Sequence, residues 1–326
     1  MVSVFELATT NLLSPMILFF ALGLAASVVR SDLSIPEAIA KGMSLYLMMA
    51  IGFKGGAGVS AHGIETRLVL SILAGLVLSA VIPVIAFRLL RATTGLSSVD
   101  AAAVAAHYGS ISIVTFLAAT QVLDSARIAY ESYLVAVAAA METPAIIAAL
   151  WLARTGTAAG NHHKLDATTL REVALNGSIV VLVGSFAIGW ISGAEGLKAI
   201  SSFIVEPFKG VLCLFLLDMG VIAGRGLREG RRQLTGSVIA FGIYMPLVGA
   251  VLGWLAARLI GLSPGGSALL IALAASASYI AVPAALRLAL PEAKPSIYVP
   301  LSLGVTFPFN LTLGIPLYLF LASLFR

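Results

Sequence analysis

Polar residues interrupt the middle of an apolar run that is long enough to cross a bilayer. The run extends over residues 101–122. Its centre contains His107, Gly109, Ser110, Ser112 and Thr115. Membrane helices tolerate such a centre where the backbone opens to line a cavity, and a helix that restarts there presents unpaired N–H groups and the positive end of its dipole. These groups and the nearby hydroxyls predict a site for a small anion, or for a sodium ion held by freed carbonyls.

A second stretch of the same kind lies 168 residues later. Ser276 and Ser278 occur in A-A-S-A-S-Y-I-A-V-P, where Pro283 also disfavours a continuous helix. At this offset Ser278 is the counterpart of Ser110. Two interrupted helices at equivalent positions of two halves indicate the binding site of a secondary transporter. The alternative is that the hydroxyls only join neighbouring helices.

Three side chains inside apolar segments are candidates for coupling a cation or a proton to transport. An ionisable group in the membrane is costly and is a functional candidate by default. Glu142 lies in M-E-T-P and Asn310 lies 168 residues later, so this pair is predicted to supply oxygen ligands for a cation. His107 is either a proton relay or a histidine that packs helices. Asp218 has Ala50 as its counterpart and is predicted to have a structural or interface role.

The composition is that of an integral membrane protein with many spans. Of 326 residues, 60% are hydrophobic and 11% are charged, and the mean hydropathy is +1.03. Soluble domains have about 45–50% apolar and about 25% charged residues. The basic residues behind the net charge of +5 lie in short loops, which argues against nucleic acid as a partner. One cysteine excludes an internal disulfide and a cysteine metal site. His162, His163 and Asp166 could form a metal cluster but are better explained as a solvated loop, and no nucleophile–base constellation or nucleotide motif occurs, so an enzyme is not expected.

Apolar segments of roughly 20 residues predict ten transmembrane helices. They are placed at residues 12–29, 37–53, 68–90, 100–123, 130–153, 173–191, 202–221, 236–260, 266–289 and 296–324. Prolines in the fifth and tenth spans predict kinks. A hydrophilic stretch divides the chain into a first five-helix repeat (1–153), a linker (154–172) and a second five-helix repeat (173–326).

The two halves are predicted to be inverted repeats. The positions that match at an offset of 168 are Lys41 and Gly42 with Lys209 and Gly210, Gly52, Gly56 and Gly58 with Gly220, Gly224 and Gly226, and Tyr130 with Tyr298. Because five is odd, the second half enters the membrane from the opposite side, as in many secondary transporters. The GxxxG pairs among these glycines predict close helix contacts, within one subunit or between subunits.

The distribution of basic residues predicts the orientation in the membrane. The side that includes the linker collects 13 of the 20 Lys and Arg residues, and the other side collects 7. Basic loops tend to remain in the cytoplasm. The protein is therefore predicted to lie in the cell (inner) membrane, with the linker on the cytoplasmic side and both termini on the outer side.

Six short motifs are distributed along nearly the whole chain, outside the linker. They are I-P-E-A-I (35–39), G-x-x-S-x-x-T-F-L-A-A-T (109–120), I-A-Y-E (128–131), M-E-T-P-A (141–145), A-A-S-A-S (274–278) and A-x-P-S-x-Y (293–298). On these motifs the chain resembles the SbtA-type sodium-dependent bicarbonate permeases, which are related more distantly to the bile acid:sodium symporters.

The resemblance implies an all-α polytopic membrane protein of ten helices in two inverted five-helix repeats, with broken helices 4 and 9 crossing at the midplane. It implies a core of spans 3–5 and 8–10, a gate of spans 1, 2, 6 and 7, and a homotrimer. Cyanobacterial members are inhibited by a small PII-like regulatory protein, so such a partner is expected, and no cofactor beyond a coupling sodium ion is implied. The substrate-binding residues carried over are Gly109, Ser110, Ser112, Thr115, Ser276 and Ser278.

Tyr279 follows the second serine cluster, where the family pattern has an aspartate, a natural sodium ligand. We include it among the predicted substrate-binding residues. The leading hypothesis is a symporter that imports a small anion, bicarbonate, with sodium by rocking of the core against the gate. Tyr279 and His107 keep open a transporter of another small anion or monocarboxylate that is coupled to protons. A third hypothesis is a membrane sensor or scaffold that binds an anion without transporting it.

Overall fold

The computed structural model describes residues 12–63, 65–155, 177–280, 282–283, 286 and 290–324. All regular secondary structure within these ranges is helical. Seven helical segments of the described chain are long and apolar enough to cross a membrane. The chain is therefore an all-α, multi-pass membrane protein. The predicted linker, apart from its first two residues, lies outside the described residues.

The helices of the described residues are numbered in chain order. They are α1 (Pro15–Val28), α2 (Glu37–His62), α3 (Thr66–Thr93), α4 (Ser98–Gly109), α5 (Ile113–Ser125), α6 (Leu134–Ala140), α7 (Glu142–Thr155), α8 (Gly177–Ala199), α9 (Ser201–Ile204), α10 (Phe208–Glu229), α11 (Gly236–Ile260), α12 (Pro264–Ala274) and α13 (Pro295–Ser323). Two turns of α13, Ser302–Thr306 and Asn310–Gly314, are π-helical. Each precedes a proline, Pro308 or Pro316, whose missing N–H and ring disturb the preceding turn.

Helix ends follow the predicted spans most closely where turn residues bound the apolar run. The span predicted at residues 236–260 is α11, which begins after the N-cap Thr235 and ends at Gly261, where φ is 75°. In contrast, α2 continues from its predicted end at residue 53 to His62 and so includes Lys54. Close packing of the glycines in this stretch offsets their low helix propensity.

Two helix pairs pack backbone against backbone through glycines. A Cβ on Gly52 of α2 would lie 2.5 Å from the Leu182 carbonyl oxygen of α8. A Cβ on Gly220 of α10 would lie 2.1 Å from the Phe20 carbonyl oxygen of α1. Both distances are too short for any side chain larger than hydrogen. The GxxxG glycines therefore make contacts within one chain, which is one of the two alternatives left open by the sequence.

The segment α4–α5 forms the centre of the protein. Every residue of the apolar 18-residue stretch within Ser98–Ser125 is buried, whereas 17% of such a stretch within Ile179–Ala199 is buried. It packs against α3, α7 and α12. The polar residues between α4 and α5 are therefore shielded from lipid, and their hydrogen bonds must be made inside the protein.

Two carboxylates fix the outer ends of the helices that lead into the centre. Asp100, in the first turn of α4, accepts a hydrogen bond from the Lys294 backbone N–H at the start of α13 (3.0 Å). Glu131 accepts hydrogen bonds from the backbone N–H and the hydroxyl of Ser263 (both 2.8 Å) at the start of α12. Each carboxylate also lies at the positive end of a helix dipole. Both contacts tie one half of the chain to the other.

Candidate functional site: the junction of two interrupted helices

The chain leaves the helical conformation between α4 and α5, at residues 110–112. Ser112 caps α5, because its hydroxyl oxygen accepts a hydrogen bond from the Thr115 N–H at 3.1 Å. The Ser110 hydroxyl donates to a carboxylate oxygen of Glu142 at 2.8 Å. The first turn of α5 therefore starts inside the protein, with its dipole directed at the serines.

A second interruption follows α12, where residues 276–278 are not helical. The Ser112 backbone N–H donates to the Ser276 hydroxyl oxygen at 2.9 Å. The Ser278 backbone N–H donates to the His107 carbonyl oxygen at 2.7 Å. The two interruptions are thus joined directly, and each satisfies backbone groups that the other leaves without a helical partner.

A small cavity lies at this junction. Its lining residues are Met48, Ile111, Ser112, Ile113, Glu142, Ser278, Tyr279 and Ile280. The cavity volume is about 10 Å³, which is room for about one water molecule. An anion of several atoms needs more space, so the junction must widen to bind one.

Glu142 and Asn310 hold the two interruptions in related ways. Glu142 accepts the hydrogen bond from Ser110 after α4, and the Asn310 side-chain nitrogen donates to the Ala275 carbonyl oxygen after α12 at 3.0 Å. The Asn310 side-chain oxygen accepts from the Tyr318 hydroxyl at 2.6 Å. Both polar ends of Asn310 are therefore occupied, whereas Glu142 lines the cavity. Of the two predicted cation ligands, Glu142 is the better placed.

His107 and Tyr279 differ in how far their polar atoms are engaged. His107 is fully buried, with Nδ1 2.7 Å from the Ala103 carbonyl oxygen and its ring 4.6 Å from that of Tyr298 between centroids. Its Nε2 has no hydrogen-bond partner among the described residues. The Tyr279 hydroxyl makes no hydrogen bond of ordinary geometry within the same part of the chain, although Ser112 lies near it. The His107 ring thus packs α4 against α13, while its Nε2 atom and the Tyr279 hydroxyl are each buried without a partner in the described part of the chain.

A family model of the Na⁺-dependent bicarbonate transporter superfamily matches residues 15–323. The chain belongs to this superfamily. Membership confirms the resemblance seen in the motifs, and it confirms that the chain is a transporter-family protein and not an enzyme. No match was found among curated proteins.

Thr115, in the first turn of α5, carries a further buried polar atom. Its side chain is fully buried, and its hydroxyl oxygen has no partner among the described residues. Gly109 instead allows close packing of neighbouring helices. A Cβ at this position would lie 2.1 Å from the Pro83 ring and 2.9 Å from the Ala145 Cβ, so α3 and α7 require a glycine here.

Sequence reasoning missed the apolar wall of the site in this superfamily member. Met48 of α2 covers the cavity from outside the two interrupted helices. It is an apolar residue in an apolar span, so neither its type nor its spacing distinguished it from a lipid-facing residue. Tyr108 was also missed, although its hydroxyl lies 2.6 Å from the Thr306 hydroxyl and helps to fix the last turn of α4 on α13.

Proposed function

We propose that the protein is a symporter that imports bicarbonate together with sodium by alternating access. The observation that carries the proposal is the junction itself, where Ser112, Ser278 and Glu142 line one small cavity in a chain of this superfamily. A site formed by interrupted helices from both halves of the chain is typical of secondary transporters.

In this proposal the anion is bound by the start of α5 and by the hydroxyls around it. Unpaired backbone N–H groups and the helix dipole attract negative charge without a basic side chain. Ser278 and Tyr279 line the cavity, and Thr115 lies in the first turn of α5. The hydroxyls of Thr115 and Tyr279 have no partner among the described residues. Three further residues support these groups without contacting the anion. Gly109 allows close helix packing, Ser110 donates a hydrogen bond to Glu142, and Ser276 accepts one from the Ser112 N–H.

Sodium is assigned to Glu142 and to the carbonyls that the interruptions free. Sodium is a hard cation that prefers oxygen ligands, as calcium and magnesium do. Glu142 supplies a carboxylate at the cavity, which compensates for Tyr279 at the position where the family pattern has an aspartate. Asn310 supports the second interruption and takes no direct part.

We further propose that ten spans form two inverted five-helix repeats, residues 1–153 and 173–326. The exchange of partners supports this: α1 of the first half packs on α10 of the second, and α8 of the second half packs on α2 of the first. The related roles of Glu142 and Asn310 support it as well. These four helices would form the gate, and Met48 would be its contact with the site.

The proposal also covers the orientation of the protein in the membrane, its assembly and its regulator. The linker (154–172) is cytoplasmic and both termini are outside, which the 13 to 7 distribution of basic residues supports. A homotrimer and a PII-like regulator follow from the family resemblance. The poorly buried apolar face of α8 is available to lipid or to other subunits.

The test is uptake of isotope-labelled bicarbonate into proteoliposomes at fixed internal and external pH, with protein-free liposomes to subtract entry as carbon dioxide. We expect an inward sodium gradient to raise the initial rate at least about tenfold over equal sodium on both sides. An uptake rate that does not depend on the sodium gradient but increases with a pH gradient would favour the proton-coupled alternative, which His107 and Tyr279 motivate. Binding of bicarbonate without uptake in either gradient would favour the sensor.

A further inference from the structure

A second cavity, of about 100 Å³, lies between α2 and α5. It is roughly ten times the size of the cavity at the junction and has room for several water molecules. Its polar lining includes Lys54, Thr120, Gln121 and Ser132. None of these residues belongs to the junction.

The position of this cavity relates it to the junction. Met48 lines the junction cavity, and Ile51 and Lys54 line the second cavity one and two turns further along α2. On α5, Ser112 lines the first, and Phe116 and Thr120 line the second. With a rise of about 1.5 Å per residue, Lys54 lies roughly 9 Å beyond Met48 along the helix. The second cavity therefore lies on one side of the junction, along the seam between a proposed gate helix and a core helix.

Lys54 brings a positive charge to this seam. Its side chain is half-buried, and its ammonium nitrogen lies 5.5 Å from the centre of the Phe208 ring. No carboxylate of the described residues lies within 4.0 Å of it. A cation held only by an aromatic face is only partly compensated. The charge remains available to an anion in the cavity.

Gln121 adds an acceptor to the same cavity. Its side chain is 4% exposed, and its Oε1 atom has no hydrogen-bond partner among the described residues. A buried acceptor without a partner is costly unless a ligand or a water donates to it. The Thr120 hydroxyl already donates to the Leu117 carbonyl oxygen at 2.8 Å, so towards a ligand it can act only as an acceptor.

We infer that this cavity is a second anion site, a vestibule that selects bicarbonate before it reaches the junction. Bicarbonate has carboxylate oxygens that accept hydrogen bonds and one hydroxyl that donates. Lys54 supplies donors only, and Gln121 Oε1 is an acceptor. The pair therefore matches bicarbonate better than nitrate or chloride, which carry no donor. The inference rests on the proposed function and adds a residue pair that precedes the junction on the transport path.

The first test compares Lys54→Met with Lys54→Arg in the proteoliposome assay. We expect Lys54→Met to raise the KM for bicarbonate about tenfold, because a charge-assisted hydrogen bond to the anion is lost, and to change the maximal rate less than about twofold. Lys54→Arg keeps the charge and should stay within about threefold of the wild-type KM. Lys209→Met is the matched control, since Lys209 is an exposed lysine next to Phe208. It should leave KM unchanged.

The same assay separates a packing role from anion binding. A lysine can cover apolar surface with its aliphatic stem alone. If Lys54→Met leaves KM unchanged, or if the methionine and arginine variants lose maximal rate equally at constant KM, the vestibule is overturned. Gln121→Met gives a second criterion. It should raise the KM for bicarbonate and leave inhibition by nitrate unchanged, and an equal loss for both anions contradicts the role of Oε1.

A separate readout keeps the vestibule distinct from the proposed function. If the wild-type protein transports no bicarbonate in any gradient, the proposed function fails. Calorimetric titration of the purified wild-type and Lys54→Met proteins with sodium bicarbonate and sodium nitrate then decides about the vestibule. Tighter binding of bicarbonate that requires Lys54 supports the site. Equal binding by both proteins, or no binding by either, overturns it.

Discussion

Replacing Glu142 by glutamine is expected to weaken strongly the activation of bicarbonate uptake by sodium. The carboxylate lines the junction cavity and accepts a hydrogen bond from Ser110, so the substitution removes the charge and keeps the shape. The charge of the ligands sets the affinity of an oxygen site for a hard cation. The sodium concentration for half-maximal uptake should therefore rise on the order of 100-fold, measured as initial rates over a sodium series at constant ionic strength.

Asp218→Asn is the matched control for this substitution. Asp218 is likewise a carboxylate within a predicted span and is buried, but it lies on α10, outside the junction. It should keep the half-maximal sodium concentration within about threefold of the wild-type value. The sodium site is misassigned if Glu142→Gln retains the wild-type sodium dependence, or if both variants lose it to the same degree.

The combined Ser110→Ala, Ser278→Ala variant is expected to lose bicarbonate uptake by about 100-fold or more while remaining folded. Ser278 lines the cavity, and Ser110 orients the Glu142 carboxylate. A hydrogen bond to a charged group contributes about 1.5–3 kcal/mol, so each hydroxyl is worth roughly tenfold or more. Uptake is measured as initial rate at saturating sodium, and folding as elution volume and helical circular dichroism.

Ser302→Ala provides the control for the double variant. Ser302 is also a buried serine in a membrane helix, but its hydroxyl donates to the Tyr298 carbonyl oxygen of its own helix. Such a bond adds little to stability, so uptake should be unchanged. Wild-type uptake by the Ser110, Ser278 variant would show that the junction does not bind the anion.

The interruption between α4 and α5 was predictable because it depends on local chemistry. Serines next to a glycine inside an apolar run are incompatible with an ordinary lipid-facing helix, and Ser112 is an N-cap residue by type. The counterpart near Ser276 and Ser278 followed from the 168-residue offset. The motif resemblance to sodium-dependent bicarbonate permeases agreed with the family match over residues 15–323.

Contacts between distant parts of the chain were not predictable in the same way. The hydrogen bond from Ser110 to Glu142 and that from Ser278 to His107 join segments 32 or more residues apart. They depend on how the helices pack, and an apolar span gives no signal of its packing partner. The position of Lys54 was missed for another reason. Its charge suggested a loop after a span ending at residue 53, whereas tight glycine packing carries α2 on to His62.

The most direct measurement of coupling is the reverse of the uptake assay. Proteoliposomes with equal sodium on both sides, including a trace of isotope-labelled sodium outside, receive an inward bicarbonate gradient at fixed pH. Because coupling between two ligands is reciprocal, the bicarbonate gradient should drive net sodium entry, and the Ser110, Ser278 variant should show none. Bicarbonate entry without any movement of sodium would contradict a sodium symporter.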